Sequence, residues 1–228
     1  MFIPLKDNNP SRSYPVVNIT LLFANVVIFL YQLALPPYDQ KLFILSNATI
    51  PARIPAFLDG HVGFEAAFLP LVTSMFLHTE PLHIAGNMLF LWIFGDNVED
   101  FFGHFTYLFF YLVCGIGAGL LHVLFNPDST VPALGASGAI SGVMGAYILL
   151  YPRARILTLV FIFPLPVPAV VFLGLWYVMQ FLAGISTIGV KVTGGVAVWA
   201  HVGGFLLGVL LTLLARRRQA TKQLWNAR

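Results

Sequence analysis

Long apolar runs separated by short polar stretches dominate the pattern of the chain. A run of about 20 apolar residues has the length of a membrane-spanning helix. The sequence predicts six such spans, at residues 16–35, 82–98, 105–125, 137–151, 156–183 and 196–215. Pro164, Pro166 and Pro168 are expected to bend the early part of the fifth span, because proline removes a helical hydrogen bond.

The composition argues against an ordinary soluble domain. Of the 228 residues, 58% are hydrophobic and 9% are charged, and the mean hydropathy is +0.85. Too few polar side chains are present to cover a water-exposed surface. We therefore predict an all-α membrane protein with a six-transmembrane-helix bundle. Its expected organisation is a short tail (1–15), a membrane domain (16–215) and a basic tail (216–228).

Two segments do not fit a simple span. Residues 64–81 are apolar but interrupted by polar residues and proline, which predicts a partly inserted outer loop between the first two spans. The fourth span is short: at ~1.5 Å per residue it gives roughly 22 Å of helix, against a hydrocarbon core of ~30 Å. If its inner end lies at the cytoplasmic surface, Ser137 at its outer end lies below the outer surface.

The basic residues predict the orientation of the chain, because cytoplasmic loops of membrane proteins are enriched in Lys and Arg. Six spans place both termini on one side. With the termini in the cytoplasm, the inner side carries most of the basic residues: Lys6, Arg12, Arg153, Arg155, Arg216, Arg217, Arg218, Lys222 and Arg228. Only Lys41, Arg53 and Lys191 are then outside. We expect a multi-pass membrane protein with both termini in the cytoplasm.

Polar residues from three different spans fall near the outer end of the bundle. His83 and Asn87 share one helix face, Ser137 begins the fourth span, and His201 lies early in the last. Small residues at four-residue spacing on the fourth and last spans favour close helix packing. Such packing would bring the Ser137 hydroxyl within hydrogen-bond reach of His201.

These residue types suit acyl transfer. A serine hydroxyl needs a base to become nucleophilic, and a histidine is suited to accept its proton. His83, Asn87 and the Ser137 backbone N–H could stabilise an oxyanion. Asp128, in an outer loop, is the only candidate for a third, acidic member, so a Ser–His dyad is the simpler hypothesis. Each polar residue also has a structural alternative. Ser137 could serve only helix packing, His201 and His83 could make structural hydrogen bonds, and Asn87 could cap loop backbone.

Three motifs, in this order, resemble those of the rhomboid intramembrane serine proteases. They are HIAGNMLFLWIFGDNVED (83–100), GASGAISGVMGAY (135–147) and AHVGGFLLG (200–208). The resemblance implies that Ser137 is the nucleophile, that His201 is its base and that His83 and Asn87 occupy oxyanion-stabilising positions. One departure is Leu69-Pro70, where some bacterial members carry a Trp-Arg pair.

The resemblance also implies a minimal six-helix bacterial type, in a bacterial inner membrane, that opens to the outer side of the lipid bilayer. Such a protein would cleave single-span membrane proteins in or next to their membrane segments, without a cofactor, a metal or a nucleic-acid partner. Two alternatives stay open at this point. One is a catalytically inactive relative that binds membrane proteins and controls their trafficking, and the other is a small transporter or channel.

Overall fold

A computed structural model of the protein describes residues 2–189 and 197–226. Lys191, Arg228 and the side chain of Lys222, which contributed to the charge comparison, lie outside the described part. In chain order the elements are β1 (Phe2–Asp7), α1 (Val16–Ala34), α2 (Pro37–Asn47), α3 (Arg53–Leu58), α4 (Phe64–Phe68), α5 (Pro70–Thr73), α6 (Pro81–Phe102), α7 (His104–Phe125), α8 (Ser137–Leu150), β2 (Arg155–Val160), β3 (Phe163–Pro168), α9 (Ala169–Ser186) and α10 (Val198–Asn226).

The predominantly helical bundle confirms the predicted fold class. Four helices of the described part, α1, α7, α9 and residues 198–218 of α10, are long and apolar enough to cross a membrane. By contrast, α6 is long enough but carries Asp96, Glu99 and Asp100 in its last two turns, and α8 has only 14 residues. The number of six membrane spans therefore remains a prediction. The helix positions agree more closely, because a helix begins within two residues of the predicted start of five of the six spans.

Helix α8 is the centre of the bundle, and glycines on both α8 and α10 explain how closely the two helices approach each other. A Cβ built on Gly204 would lie 2.0 Å from the carbonyl oxygen of Gly138, and one on Gly208 would lie 2.0 Å from that of Gly142. Likewise, a Cβ on Gly145 would lie 2.2 Å from the carbonyl oxygen of Phe205. The two backbones touch where side chains are missing, which confirms the packing predicted from the small residues.

The fifth predicted span was wrong in its first part. Residues 155–168 form strands β2 and β3, and α9 begins only at Ala169. Pro164, Pro166 and Pro168 alternate with Phe163, Leu165 and Val167, and this period of two suits an edge strand, whereas a helix interior tolerates none of these prolines. Strand β1, in the segment expected to be a simple tail, pairs antiparallel with β2, giving a sheet in the order β1-β2-β3.

The sheet lies at the end of the bundle where α8 finishes. The hydroxyl of Tyr147, in the last turn of α8, donates to the Asp7 carboxylate. The hydroxyl of Tyr151 donates to the backbone oxygen of Asn97 (3.2 Å). At the same end Glu99 is fully buried and accepts bonds from the backbone N–H groups of Val17 and Asn18 (3.0 and 2.7 Å). Glu99 thus caps the N-terminus of α1.

At the opposite end, the segment 64–81 folds back as short helices, α4 and α5, and a 3₁₀ turn (Ser74–Phe76). The hydroxyl of Thr49 donates to the carbonyl oxygen of Pro70 (2.9 Å), and the hydroxyl of Thr73 donates to that of Asn47 (2.8 Å). These bonds hold the segment against the loop that follows α2. Its partial insertion into the bilayer stays a prediction.

Candidate active site

Ser137 and His201 meet at the start of their helices. Ser137 is the first residue of α8, and His201 lies in the first turn of α10. Their Oγ and Nε2 atoms are 2.7 Å apart, and the His201 residue is 8% exposed. The close approach of α8 and α10 at the Gly138–Gly204 contact brings the short serine side chain to the imidazole.

The second ring nitrogen of His201 determines which way this bond runs. Nδ1 lies 2.8 Å from Oε1 of Gln180 on α9. Because an amide oxygen only accepts, Nδ1 carries the proton and donates to it. Nε2 is then free to accept from the Ser137 hydroxyl, which is the geometry that a general base requires.

Helix α9 holds the imidazole from a second side. The Trp176 ring lies one turn before Gln180, with its centroid 5.7 Å from that of His201 at an interplanar angle of 38°. Sequence analysis missed both residues. The signal was present: Gln180 is an amide within an apolar span, and polar groups at membrane depth usually have a specific partner.

Asp128, the only candidate for an acidic third member, does not occupy this position. Asp128 is exposed in the loop after α7. Among the described residues, the hydrogen-bond partners of the His201 ring are the Ser137 hydroxyl and the Gln180 amide.

Asn87 lies in the second turn of α6 and is oriented by a residue that the sequence analysis did not assign to the site. Its Nδ2 lies 2.8 Å from Nε2 of His78. Burial lowers the pKa of His78 to about 4, so the ring is neutral near pH 7 and Nε2 accepts one proton of the amide. Gln32 of α1 fixes His78 in turn, because its side chain bonds the backbone oxygen and N–H of His78 (3.1 and 3.2 Å). The second Asn87 proton stays available for another acceptor.

His83 lies beside Asn87, and a glycine keeps the space in front of both open. The His83 ring meets the His78 ring edge to face, with centroids 5.0 Å apart. Gly135 has φ +120°, a conformation unfavourable for residues with a side chain. A Cβ there would lie 2.8 Å from His83 Nε2 and 3.5 Å from Asn87 Nδ2. Gly135 therefore leaves room where a substrate oxygen would approach these donors.

All four residues predicted for the site line one cavity of about 670 Å³. Side chains of α6, α8, α9 and α10 form its walls, and the loop at residues 129–134 contributes to its rim. The arrangement combines a hydroxyl paired with a base and two further polar side chains at a common hollow. Such a set can carry out acyl transfer.

Comparison with known proteins assigns the chain to a family. The family model described as "Rhomboid domain" matches residues 65–218, more than half of the chain. Rhomboid protein 1, mitochondrial, of Saccharomyces cerevisiae is 35% identical over 153 residues, which cover 62% of this chain and 40% of the relative. RHOMBOID-like protein 12, mitochondrial, of Arabidopsis thaliana is 31% identical over 150 residues, which cover 59% and 42%.

A bacterial relative matches over more of its length. Rhomboid protease AarA of Providencia stuartii is 27% identical over 214 residues, covering 86% of this chain and 71% of the relative. The chain spans less than half the length of the two mitochondrial relatives. The matched region contains the paired Ser137 and His201 and the membrane helices around them. The chain is therefore a member of the rhomboid family, membrane-embedded helical proteins that include intramembrane serine proteases.

Proposed function

We propose that this protein is an intramembrane serine endopeptidase that hydrolyses peptide bonds in or next to the transmembrane segments of single-span membrane proteins. Ser137 is the nucleophile and His201 its general base. The observation that supports this most directly is the 2.7 Å contact between Ser137 Oγ and His201 Nε2, beside donors that line the same cavity.

The first half-reaction forms an acyl-enzyme. As Ser137 Oγ attacks the scissile carbonyl carbon, its proton moves to Nε2 of His201, giving a tetrahedral intermediate and an imidazolium ion. The negative charge develops on the former carbonyl oxygen, where Asn87 Nδ2–H and His83 are suited to donate. When the C–N bond breaks, Nε2–H protonates the leaving amine.

The second half-reaction releases the acyl group. A water molecule gives its proton to Nε2 and attacks the ester carbon, and the same donors stabilise the second tetrahedral intermediate. Collapse returns the proton from Nε2 to Ser137 Oγ. Throughout, Gln180 keeps Nδ1–H directed at an acceptor, so that Nε2 faces the serine. As a neutral group, it positions the base without adding a charge that would stabilise the imidazolium.

The location of the site supports a membrane substrate. Ser137 begins a 14-residue helix that lies among longer apolar helices, so a peptide must reach it from within the bundle or from its near end.

We propose that the membrane domain, residues 16–215, carries the activity. We also propose that it lies in a bacterial inner membrane with both termini in the cytoplasm and the site opening to the outer side.

The test is labelling and cleavage by purified protein in liposomes. A fluorophosphonate probe should modify Ser137, and Ser137→Ala and His201→Ala should each abolish both labelling and cleavage of a single-span reporter. Ser141→Ala is the matched control, because this buried hydroxyl donates to the Ser137 backbone oxygen (2.6 Å) and not to the imidazole. Reporter cleavage by folded Ser137→Ala would overturn the proposal. Wild-type protein that binds the reporter but neither labels nor cleaves would instead indicate the inactive binding factor.

The oxyanion assignment has its own test. Loss of one such donor typically lowers kcat by about 10²–10³. Asn87→Ala should therefore lower kcat by that factor, while the fluorophosphonate still reacts measurably with Ser137. An unchanged kcat would remove Asn87 from the oxyanion site without affecting the assignment of Ser137 and His201.

A further inference from the structure

The hairpin that sequence analysis assigned to a helix presents a continuous apolar surface. All eight residues of the segment FIFPLPVP, at 161–168, are apolar. Phe161 and Ile162, which form the turn between β2 and β3, are 76% and 78% exposed, and the following Phe163 is 63% exposed. A patch of this kind on a water-exposed domain usually marks an interaction surface.

The outer edge of β3 is unsuited to pairing with another strand. Pro164, Pro166 and Pro168 lie opposite Leu159, Leu157 and Arg155 of β2. Because proline has no N–H, it fits a ladder only where its nitrogen points away from the partner strand. The free edge of β3 therefore offers carbonyl oxygens but no backbone donor at these positions, which argues against a protein partner that binds by strand addition.

The turn keeps a bulky residue in an unfavourable conformation. Phe161 has φ +55°, whereas a two-residue hairpin turn usually has Gly, Asn or Asp at such a position. A non-glycine residue is unfavourable in this conformation. The Phe161 ring is exposed, so burial within the protein does not offset the unfavourable backbone conformation. A stabilising contact for the ring would therefore lie outside the chain.

The exposed apolar residues of β3 lead into an exposed apolar face of α9. Strand β3 runs directly into α9 at Pro168–Ala169, and α9 presents exposed Val171, Leu175, Val178 and Leu182 along its length. Basic residues stand at the end of the sheet where α9 begins, opposite the Phe161–Ile162 turn: Lys6 on β1, and Arg153 and Arg155 before and at the start of β2, all exposed. Apolar anchors beside a basic cluster are the combination that binds the surface of an anionic bilayer.

An open sheet cannot lie in the hydrocarbon core, because its unpaired backbone groups would find no partner there. An apolar, exposed hairpin is equally unfavourable in bulk water. The headgroup region of the bilayer offers both water for the unpaired backbone groups and adjacent lipid chains for the apolar side chains. We propose that the sheet lies on the bilayer surface at the end of the bundle opposite Ser137, with Phe161, Ile162 and Phe163 inserted among the lipid chains and the basic end at the phosphates. This proposal does not depend on the protease function.

The test is site-specific fluorescence labelling, which is possible because the single cysteine of the chain is buried. Cys114 is buried, so an added surface cysteine can be labelled selectively with a bimane fluorophore. The protein is placed in nanodiscs of brominated phosphatidylcholine and phosphatidylglycerol, and quenching by bromine is compared with quenching by aqueous iodide. The test variant, with the label on the hairpin, is Phe163→Cys. Leu175→Cys on α9 is the lipid-facing control, Pro10→Cys is the aqueous control, and unmodified protein gives the background.

The expected result is that the label at 163 is quenched by brominated lipid and protected from iodide, as at 175, and that the label at 10 behaves in the opposite way. Quenching at 163 by iodide alone would place the hairpin in water and overturn the proposal. Protection from both quenchers would show that a second copy or another protein covers the hairpin, which also overturns it.

Discussion

The Nδ1 atom of His201 and the Oε1 atom of Gln180 are 2.8 Å apart, so an amide and not a carboxylate orients the proposed base of this protein. The bond leaves Nε2 as the acceptor for the Ser137 hydroxyl. A neutral orienting group limits how strongly the imidazolium is stabilised, and this has a measurable consequence.

Gln180→Leu removes the acceptor while keeping an apolar side chain at the position. We expect kcat for the reporter to fall about fivefold, which corresponds to the loss of one neutral hydrogen bond of roughly 1 kcal/mol, with KM little changed. Gln180→Glu supplies a charged acceptor that favours the protonated imidazole. The acidic limb of its pH–rate profile should therefore move to higher pH. A Gln180→Leu variant with wild-type kcat would show that Gln180 does not position His201.

Gly135→Ala places a methyl group where the substrate oxygen would approach. It adds a Cβ 2.8 Å from His83 Nε2 and imposes a side chain on a φ of +120°. We expect cleavage to fall at least tenfold. Gly86→Ala is the matched control: Gly86 lines the same cavity, but its Cβ would have no atom within 4 Å. Equal activity of the two variants in the reporter assay would contradict this account of the site.

Low pH should destabilise the fold through His78. Burial lowers its pKa from 6.5 to about 4, so between these values the unfolded chain binds a proton that the folded one does not. This part of the stability is present above pH 6.5 and is lost as the pH falls toward 4, by up to about 3 kcal/mol. The neighbouring His83 ring, 5.0 Å away, adds repulsion when it is charged.

The measurement is thermal unfolding in detergent at pH 7 and pH 4.5, for the wild type and for His78→Gln. Glutamine can still accept from Asn87 but does not titrate. The variant should therefore lose less stability than the wild type on acidification. The same loss in both proteins would show that other groups cause it.

The contact between α8 and α10 predicts a difference in stability between two glycines. Gly204→Ala would put a Cβ 2.0 Å from the Gly138 carbonyl oxygen and should cost about 1–3 kcal/mol through overpacking. Gly174→Ala, on α9, meets no atom within 4 Å and should be neutral or stabilising by up to about 1 kcal/mol. Unfolding of the two variants in detergent checks the ranking. A Gly204→Ala protein as stable as the wild type would be inconsistent with the observed helix contact.

The sequence predicted the helices and the approach of Ser137 to His201 because both depend on local signals. An apolar run defines a span, and small residues at four-residue spacing define a contact face. It did not predict that Gln180 meets His201 or that His78 orients Asn87, because each pair joins segments whose relative rotation is set by the packed bundle. The sheet was missed for another reason. Prolines at every second position of an apolar run can be mistaken for a bent membrane-spanning helix. The strand pairing that would correct this interpretation involves β1, which lies far away in the chain.

That separation bears on how the protein is made. Phe2 pairs with Val160, so the first strand leaves the ribosome long before its partner exists. During synthesis β1 therefore stays unpaired while the intervening helices enter the bilayer. Only then can the sheet close and bind the start of the chain to the segment between α8 and α9. Formation of this small sheet is thus a late step in assembly, which follows the synthesis of the helix that carries the serine.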